Sequence, residues 1–334
     1  MKCPSLSELP SPPAGKTGWP WTEASTPLPP TRPDGSPWPL VTVVTPSYNQ
    51  ARYLEATLRS ILLQGYPNLE YFVMDGASTD GSVEIIQKYA PWLAHWVSER
   101  DGGQSAAINR GLRLGSGEFA TWINSDDMLE RHALSNHASR IGFRPGVVYL
   151  GDCMYINEHD DPLYVRRGRV HSLDDLLRVR TVWRDQQQHG HIVQPEVLFP
   201  LDMVRSVGCL DVHNHRTMDV ELWGKLFIAG ATFQYTHVRF GIFRVHAEQK
   251  TSQLWETTQS LVATLTKLAI EAPGIAEPVR QEIIAELQAY LRDFWHDTGP
   301  LARIGLPENV VLPLREFNAD LRRRAAGLLR RAAT

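Results

Sequence analysis

From Leu40 onward, short apolar runs alternate with amphipathic stretches of helical period. The run LVTVVTPSYN at 40–49 predicts a buried strand that ends in a loop, and the segment 52–64 places its apolar residues on one helix face. Further strands, with helices between them, are predicted at 69–78, 93–101 and 118–127. This alternation predicts an α/β domain with a mostly parallel sheet and helices on both faces.

The segments on either side of this region have different patterns. Residues 1–39 are rich in proline and show no strand or helix period, but they contain three tryptophans that are costly to leave in water. We predict an extended arm that packs against the domain, with a flexible tail as the alternative. Residues 40–252 form the predicted main domain, in which 158–192 is polar and irregular. Residues 253–334 form a predicted helical extension interrupted by prolines.

Composition narrows the possible classes of function. Hydrophobic residues make up 43% of the 334 residues, which is enough for a packed core. The formal net charge of −3 provides no basic field, so nucleic acid is not expected as a partner. Cys3, Cys153 and Cys209 are too widely spaced for a zinc ribbon or a disulfide framework. No apolar run is long enough to span a bilayer, and we expect a cytoplasmic protein.

Each of the four predicted strands ends in a loop rich in Asp, Asn, Gly and Ser. The loops read PSYN (46–49), DGASTDGS (75–82), ERDGGQSAAINRG (99–111) and NSDD (124–127). In open α/β sheets, ligands bind outside the carboxyl ends of the strands, so these loops are expected to converge on one crevice. A single loop of this kind is ordinary turn chemistry, whereas four in series favour a binding site.

The content of these loops suits a nucleoside diphosphate held with a divalent cation. Asp126 and Asp127 supply carboxylate oxygens, and phosphate and water fill the remaining ligand positions of such a cation. The glycines allow close approach of the backbone, and Asp75 is placed to accept hydrogen bonds from a base or ribose. Neither a G-x-G-x-x-G nor a P-loop motif is present, which disfavours a dinucleotide fold and a P-loop enzyme.

Residues 40–252 resemble the family two glycosyltransferases of the GT-A fold. TPSYNQARYLEATLRSILLQ is similar to the family's opening strand and helix, and DGASTDGS to its nucleotide-binding D-G-x-S-x-D segment. SERDGGQSAAINRGLRLGSGEFATWINSDD resembles the stretch leading into the family's D-x-D metal motif. QPEVLF, VGCLD, MDVELW and FRVHAEQKTS follow in the order seen in members that modify cell-surface polysaccharides. The resemblance implies transfer of a sugar from a nucleotide-sugar donor to an acceptor hydroxyl.

The resemblance also implies roles for matching positions. Asp126 would bind Mn²⁺ or Mg²⁺ with help from Asp127. His246 would complete the cation or diphosphate site, with a purely structural histidine as the alternative. One departure is Asn124, which replaces the first Asp of D-x-D and is a weaker ligand for a hard cation. Together with the loop contents, the resemblance predicts donor contacts at Pro46, Tyr48, Asn49, Asp75, Gly76, Ser78, Asp101, Gly102, Gln104, Asn109 and Asn124.

Inverting members of the family use a carboxylate as the base toward the acceptor hydroxyl. Asp219 in MDVELW is the first candidate for this base and Glu221 the second, and a structural acid is the alternative for either. Processive synthases of the same family carry membrane helices and a Q-x-x-R-W motif. No Trp of this sequence follows an Arg, so non-processive transfer is expected.

Two other functions stay open at this point. A nucleotidyltransferase would share the crevice and the cation, but its Gly-rich loop with following basic residues is missing after the first strand. A non-catalytic nucleotide-sugar-binding scaffold would keep the crevice without needing Asp219.

The basic amphipathic segment 314–334 predicts peripheral contact with the inner face of an anionic membrane, where a lipid-linked acceptor would lie. A helix packed on its own domain is the alternative.

Overall fold

The computed structural model describes residues 3–168, 170–182 and 189–303. The strands within these residues are β1 (Val41–Ser47), β2 (Leu69–Asp75), β3 (His95–Ser98), β4 (Phe119–Trp122), β5 (Met128–Leu129), β6 (Val147–Ile156), β7 (Pro162–Gly168), β8 (His189–Gly190), β9 (Val197–Pro200) and β10 (Thr232–Arg244). The helices are α1 (Ala51–Leu62), α2 (Ser82–Tyr89), α3 (Gln104–Leu114), α4 (Ala133–Arg140), α5 (Leu173–Leu177), α6 (Val179–Val182), α7 (Leu201–Ser206), α8 (Met218–Ile228), α9 (Leu254–Glu271) and α10 (Glu277–Arg303). Strands and helices alternate from β1 to β4, as the apolar pattern predicts.

The strands form one mixed sheet in the order β3-β2-β1-β4-β9-β6-β10-β5, and β7 and β8 extend it beside β6. The first four strands in this order run parallel, whereas β9 is antiparallel to both of its neighbours. β10 returns parallel to β6. All seven residues of β1 are buried, as expected for a central parallel strand covered on both faces. The carboxyl ends of β1, β2, β3 and β4 therefore meet at one edge of the sheet.

Helices cover both faces of the sheet and enclose two apolar cores. In the first core Trp122 and Trp223 stack with their ring centroids 5.6 Å apart, and α9 joins this core through its buried leucines. The second core lies under α1 and includes the fully buried Tyr71. α3 lies close against β1 because Gly111 has no side chain, and a Cβ there would lie 2.4 Å from Cγ1 of Val44. The helices after β10 thus share their core with the sheet.

The N-terminal arm packs against the domain. Trp21 and Trp38 are buried, and the indole nitrogen of Trp19 donates a hydrogen bond to the carbonyl of Leu129 at 3.0 Å. Arg59 on α1 is fully buried under the arm. Its guanidinium donates hydrogen bonds to three arm carbonyls, those of Pro10, Pro20 and Trp21. These contacts join the arm to the first helix of the domain.

Two segments differ from the expected pattern. The segment 158–192, expected to be irregular, contains β7, α5, α6 and β8, because pairing with β6 organises a stretch whose local pattern is weak. The sequence pattern also predicts a helix near 129–140, but Met128–Leu129 forms β5 against β10 and α4 begins only at Ala133. Across the described residues, every helix is too short or too polar to cross a membrane. The basic segment 314–334 lies outside the described residues.

Candidate active site

The strand register places the first two donor loops side by side. Ser47 at the end of β1 is the partner of Asp75 at the end of β2, which is in turn the partner of Ser98 at the end of β3. The carboxylate of Asp75 accepts hydrogen bonds from the hydroxyl of Ser98 at 2.6 Å and from the amide of Ser78 at 2.9 Å. The hydroxyl of Ser78 also donates to this carboxylate. Asp75 is buried, and these hydrogen bonds hold its carboxylate in one orientation.

The loops after β1 and β2 are joined by hydrogen bonds around Asn49. Asn49 has a left-handed φ of 51°, which Asn tolerates better than most residues. Its backbone amide donates to the hydroxyl of Ser78 at 2.8 Å, and its side-chain oxygen accepts from the amide of Thr79 at 2.9 Å. Pro46 lies inside β1, opposite Met74, and shapes the start of the loop.

Gly76 lies between an exposed ring and a carboxylate. A Cβ at Gly76 would lie 3.3 Å from the ring of Tyr48 and 3.4 Å from Oδ2 of Asp101. Tyr48 is 64% exposed, and Asp101 is held by the amide of Gly103 at 2.8 Å. Gly102 precedes α3 and lies close to Ala106. The structure therefore brings the predicted residues of the first three loops together around an open surface.

A chain of amide side chains connects the third loop to the acidic loop. Nε2 of Gln104 donates to Oδ1 of Asn124 at 2.8 Å, and Nδ2 of Asn124 is 3.2 Å from Oδ2 of Asp127 and 3.3 Å from Oε1 of Gln194. Asn109 is not part of this group. It is buried further along α3, and both ends of its amide pair with the backbone of Leu210. The structure thus places Asn109 in a contact that holds the chain before α8.

The two acidic residues after β4 have different surroundings. The side chain of Asp126 is 20% exposed, and its Oδ2 lies 3.0 Å from Nε2 of His246. Asp127 is buried and its Oδ1 accepts from the backbone amide of Arg244 at 2.9 Å. Burial, followed by the adjacent Asp126, raises the pKa of Asp127 well above its usual range. Asp126 therefore faces the crevice, while Asp127 faces the protein interior.

Arg244 supports the acidic loop, although the sequence analysis gave it no role. Its Nε donates to the backbone carbonyl of Asp126 at 2.9 Å, and its guanidinium pairs with Asp160 at 2.5 Å. The guanidinium also lies 4.7 Å from the ring centroid of Tyr53. The available signal was the R-x-H spacing, which puts an arginine two residues before His246 on the same strand end. Gln194, in the QPEVLF segment, is a second contact that sequence reasoning missed.

The residues near Asp126 suit a hard divalent cation held jointly by protein and substrate. Asp126 and His246 offer one carboxylate and one imidazole, and Mn²⁺ accepts both kinds of ligand. Within the described ranges, no three His, Cys, Asp or Glu side chains are clustered as a metal site. A cation bound here would take its remaining ligands from diphosphate oxygens and water.

The two candidate bases at the start of α8 also differ. Asp219 is partly buried, and its Oδ1 accepts a hydrogen bond from the amide of Val220 at 2.9 Å. Desolvation raises the pKa of Asp219 to about 6. Glu221 is buried, and its carboxylate accepts from Asn214 at 2.8 Å and pairs with Lys225 at 3.0 Å and Lys267 at 2.7 Å. These partners outweigh the effect of burial and hold the pKa of Glu221 below its usual range.

The start of α8 is close to the donor loops. The hydroxyl of Ser105 at the start of α3 donates to the sulfur of Met218, the residue before Asp219, at 2.7 Å. Nζ of Lys250 lies 2.8 Å from Oε1 of Gln104 and 3.4 Å from the carbonyl of His215. Burial, with a smaller contribution from Arg216, lowers the pKa of Lys250, while the charge of Asp126 acts in the opposite direction. A lysine therefore lies between the third donor loop and the segment before α8.

Sequence comparisons identify related proteins. The family model described as Glycosyl transferase family 2 matches residues 42–197. TuaG of Bacillus subtilis (strain 168), named as a teichuronic acid biosynthesis glycosyltransferase, is 30% identical over 182 residues, which cover 52% of this chain and 72% of TuaG. An uncharacterized glycosyltransferase of Rickettsia prowazekii (strain Madrid E) is 25% identical over 262 residues, 76% of this chain and 80% of that protein. The corresponding Rickettsia typhi protein is also 25% identical, and the match spans 64% of this chain and 66% of its length.

Solved structures share the architecture. The crystal structure of S. aureus TarS 1-349 in complex with UDP-GlcNAc has a TM-score of 0.55 at 18% identity and covers 76% of this chain and 72% of that one. The mannosyltransferase PcManGT from Pyrobaculum calidifontis, in complex with GDP-Man and Mn²⁺, has a TM-score of 0.50 at 22% identity over 93% and 83% of the two chains. These similarities confirm the expected GT-A type of α/β fold. The chain belongs to glycosyl transferase family 2, as the motifs in residues 40–252 predict.

Proposed function

We propose that this protein is an inverting, non-processive glycosyltransferase that transfers a sugar from a nucleotide-sugar donor to an acceptor hydroxyl in cell-surface polysaccharide biosynthesis. The observation that carries the proposal is the contact between Asp126 and His246, which brings a carboxylate and an imidazole to the edge where the donor loops end. Family membership supports the transfer chemistry, and the name of TuaG supports the polysaccharide context.

Asp75 is the proposed anchor for the base or ribose of the donor. A carboxylate has about four lone-pair positions, and Ser78 and Ser98 occupy three of those on Asp75. The remaining position on Oδ1 is available to a donor N–H or O–H. Tyr48 and Asp101 flank Gly76 and leave a surface that a flat base can cover. The other predicted donor residues, apart from Asn109, shape these loops: Pro46, Asn49, Gly102, Gln104 and Asn124.

Asp126 and His246 are the proposed ligands of Mn²⁺ or Mg²⁺, and Asp127 is proposed to hold the loop through Arg244 and Asn124. A divalent cation at this position supplies positive charge to the leaving diphosphate. Lys250 adds a protein cation on the side of Gln104.

Asp219 is the proposed catalytic base. Its carboxylate takes the proton of the acceptor hydroxyl as the oxygen forms its bond to the anomeric carbon and the bond to the diphosphate breaks on the opposite side. A pKa of about 6 leaves this group ionised at neutral pH and basic enough for the transfer. Glu221 is less suited to the role, because two lysines and an asparagine already engage its carboxylate.

The domain division of the chain is also a proposal. Residues 40–252 carry the proposed donor and base residues, 1–39 form the arm, and 253–334 form the helical extension. Contact of the basic segment 314–334 with the inner face of the membrane is proposed for access to a lipid-linked acceptor. Flotation with anionic liposomes tests it: the full chain floats and a 1–313 variant does not, whereas equal flotation of both contradicts it.

The donor site is tested by thermal shift with UDP-, GDP- and dTDP-sugars, each with and without Mn²⁺. A donor present at about 100 times its dissociation constant stabilises the fold by roughly 2.7 kcal/mol. We expect stabilisation by one nucleotide class that depends on Mn²⁺ and is lost in Asp126→Ala. The matched control is Asp202→Asn, an acid that is 97% exposed on α7.

Catalysis is tested by release of nucleoside diphosphate from the donor identified in this way. Asp219→Asn is expected to keep donor binding and to lower kcat by about 100- to 10,000-fold. Donor binding without any release of diphosphate by the wild type would favour the non-catalytic scaffold. Release of pyrophosphate instead would favour a nucleotidyltransferase.

A further inference from the structure

A second cleft, of about 680 Å³, lies on the sheet formed by β6, β7 and β10. Arg144 before β6, Arg167 on β7, His171 after β7 and His237 on β10 supply its basic side chains, and none of the described residues that line it is acidic. Tyr235, which lines the cleft, and Arg244 pair with Leu150 and Ile156 of β6, which are six positions apart and therefore about 20 Å apart along the strand. This basic cleft is therefore well separated from Asp126 and the donor loops.

The charges of the basic cleft are only partly balanced. The guanidinium of Arg144 donates to the neutral amide of Gln234 and forms no ion pair within the described part of the chain. Arg167 is 57% exposed, and its Nε lies 3.6 Å from Oδ2 of the nearly buried Asp152. One arginine charge is thus unpaired, and the other is offset by a carboxylate that lies beneath the surface. The cleft attracts anions as a result.

The backbone of β10 is irregular where it lines the basic cleft. The pairing with β6 shifts register between Tyr235 and Arg239, and His237, within this irregularity, has a left-handed φ of 56°. A left-handed conformation is strained for a residue with a Cβ, and bulges commonly redirect a side chain at a functional site. The ring of His237 contacts that of Tyr235 at 4.3 Å. The hydroxyl of Tyr235 is buried and has no hydrogen-bond partner among the described residues.

We propose that the basic cleft binds an anionic group, phosphate or carboxylate, carried by the acceptor glycan at a distance from the hydroxyl that receives the sugar. Planar guanidinium groups match the oxygens of phosphate and carboxylate, and the arginines here lie on an open surface that a chain can cross. The inference rests on the proposed glycosyltransferase function, since it names the class of acceptor. An acidic group of the acceptor bound in this cleft, about 20 Å from Arg244, would favour a polymeric acceptor over a single sugar.

Binding of defined oligomers to the full-length protein tests this proposal. Titration calorimetry at constant ionic strength compares tetragalacturonate, a glycerol phosphate tetramer and neutral maltotetraose. We expect at least one anionic oligomer to bind and maltotetraose not to bind. In Arg144→Gln/Arg167→Gln the affinity for that oligomer falls about tenfold or more, because two charge-assisted contacts are lost. The matched control, Lys88→Gln/Arg113→Gln, removes two exposed positive charges elsewhere and changes the affinity less than twofold.

A second variant controls for the possibility that the double arginine variant does not fold. Thr232→Glu keeps both arginines and places a carboxylate on an exposed residue of the basic cleft, so it should also weaken binding of the anionic oligomer. Donor-induced thermal shift should be unchanged in both cleft variants, which separates this inference from the donor site. Equal binding of the anionic oligomer by wild type and both variants would overturn the proposal. Binding only to phosphatidylglycerol vesicles, lost in the same variants, would also overturn it and assign the cleft to lipid headgroups.

Discussion

The donor loops and the acidic loop belong to one site but are held in different ways. Hydrogen bonds of the donor loops around Asp75 and Asn49 join residues 3 to 30 positions apart. The carboxylates of Asp126 and Asp127 also contact residues 117 to 120 positions away, at the end of the last strand and just after it. The donor loops are therefore stabilised locally, whereas the acidic loop depends on completion of the sheet.

The N-terminal arm adds to this difference. Trp19 bonds to the carbonyl of Leu129, and Lys16 pairs at 3.0 Å with Asp160, which in turn pairs with Arg244. Few of the arm's hydrogen bonds reach the donor loops, whereas several reach the segment that follows the acidic pair. We therefore expect binding of the proposed cation to be more sensitive than binding of the proposed nucleotide to changes far from the site.

The largest expected effect comes from removing the buried guanidinium under the arm. Arg59→Met should lower the free energy of unfolding by about 4 kcal/mol, because three carbonyls of the arm, two of them in buried contacts, each lose a donor worth roughly 1 to 3 kcal/mol. Urea denaturation measures this change. Arg113→Met, on an exposed arginine of α3, is the control and should change stability little. A loss below about 1 kcal/mol in Arg59→Met would contradict the role given to the arm.

The next effect concerns pH and α4, which follows the acidic loop. Burial lowers the pKa of His137 to about 4, so protonation favours the unfolded state, where the ordinary value is near 6.5. Above about pH 6.5 the neutral His137 leaves the free energy of unfolding at its full value. As the pH falls toward 4, the unfolded state takes up a proton that the folded state does not, and the free energy of unfolding decreases by about 3 kcal/mol. In His137→Gln the free energy of unfolding should decrease less between pH 6.5 and 4 than it does in the wild type. The exposed His159→Gln should leave this decrease unchanged, and an equally small decrease in both variants would count against the assignment.

A smaller effect is expected from the link between the arm and the acidic loop. Asp160→Asn removes the ion pairs to Arg244 and Lys16, and because Asp160 is partly exposed the loss of stability should be about 1 kcal/mol. Donor affinity in the presence of Mn²⁺ should fall several-fold, while nucleotide affinity without the metal should not change. Asp202→Asn is the exposed control. Equal losses with and without Mn²⁺ would remove the distinction between the two loops.

The smallest effect on stability is expected in the donor loops. Ser78→Ala removes the hydroxyl contacts to Asp75 and to the amide of Asn49, which should cost about 1 kcal/mol or less at this partly exposed position. Nucleotide affinity should fall whether or not Mn²⁺ is present, since the orientation of Asp75 is affected and Asp126 is not. A purely metal-dependent loss, measured by calorimetry, would show that the two loops are not independent.

Most residues of the candidate site could be located from the sequence because they follow successive strands. The sequence places Asp75, Asp101 and Asp126 in the loops after β2, β3 and β4, and the parallel order of these strands with β1 brings the loops to one edge. Asn109 was selected by the same reasoning. It lies one and a half helical turns into α3, however, where it pairs with Leu210 instead of facing the crevice. A motif identifies the loop, but helix periodicity decides which of its residues face the ligand.

The sequence by itself determined the α/β class, the family and the order of the donor loops, since these depend on apolar periods and on contiguous motifs. Only the tertiary structure decided that Asp126 meets His246, that Asp127 turns inward to Arg244, and that Glu221 is engaged by Lys225 and Lys267. It also brought the basic residues of the second cleft together. The physical reason is that these contacts join residues distant in the chain. Such contacts depend on strand register and packing, and the local sequence pattern carries no signal of them.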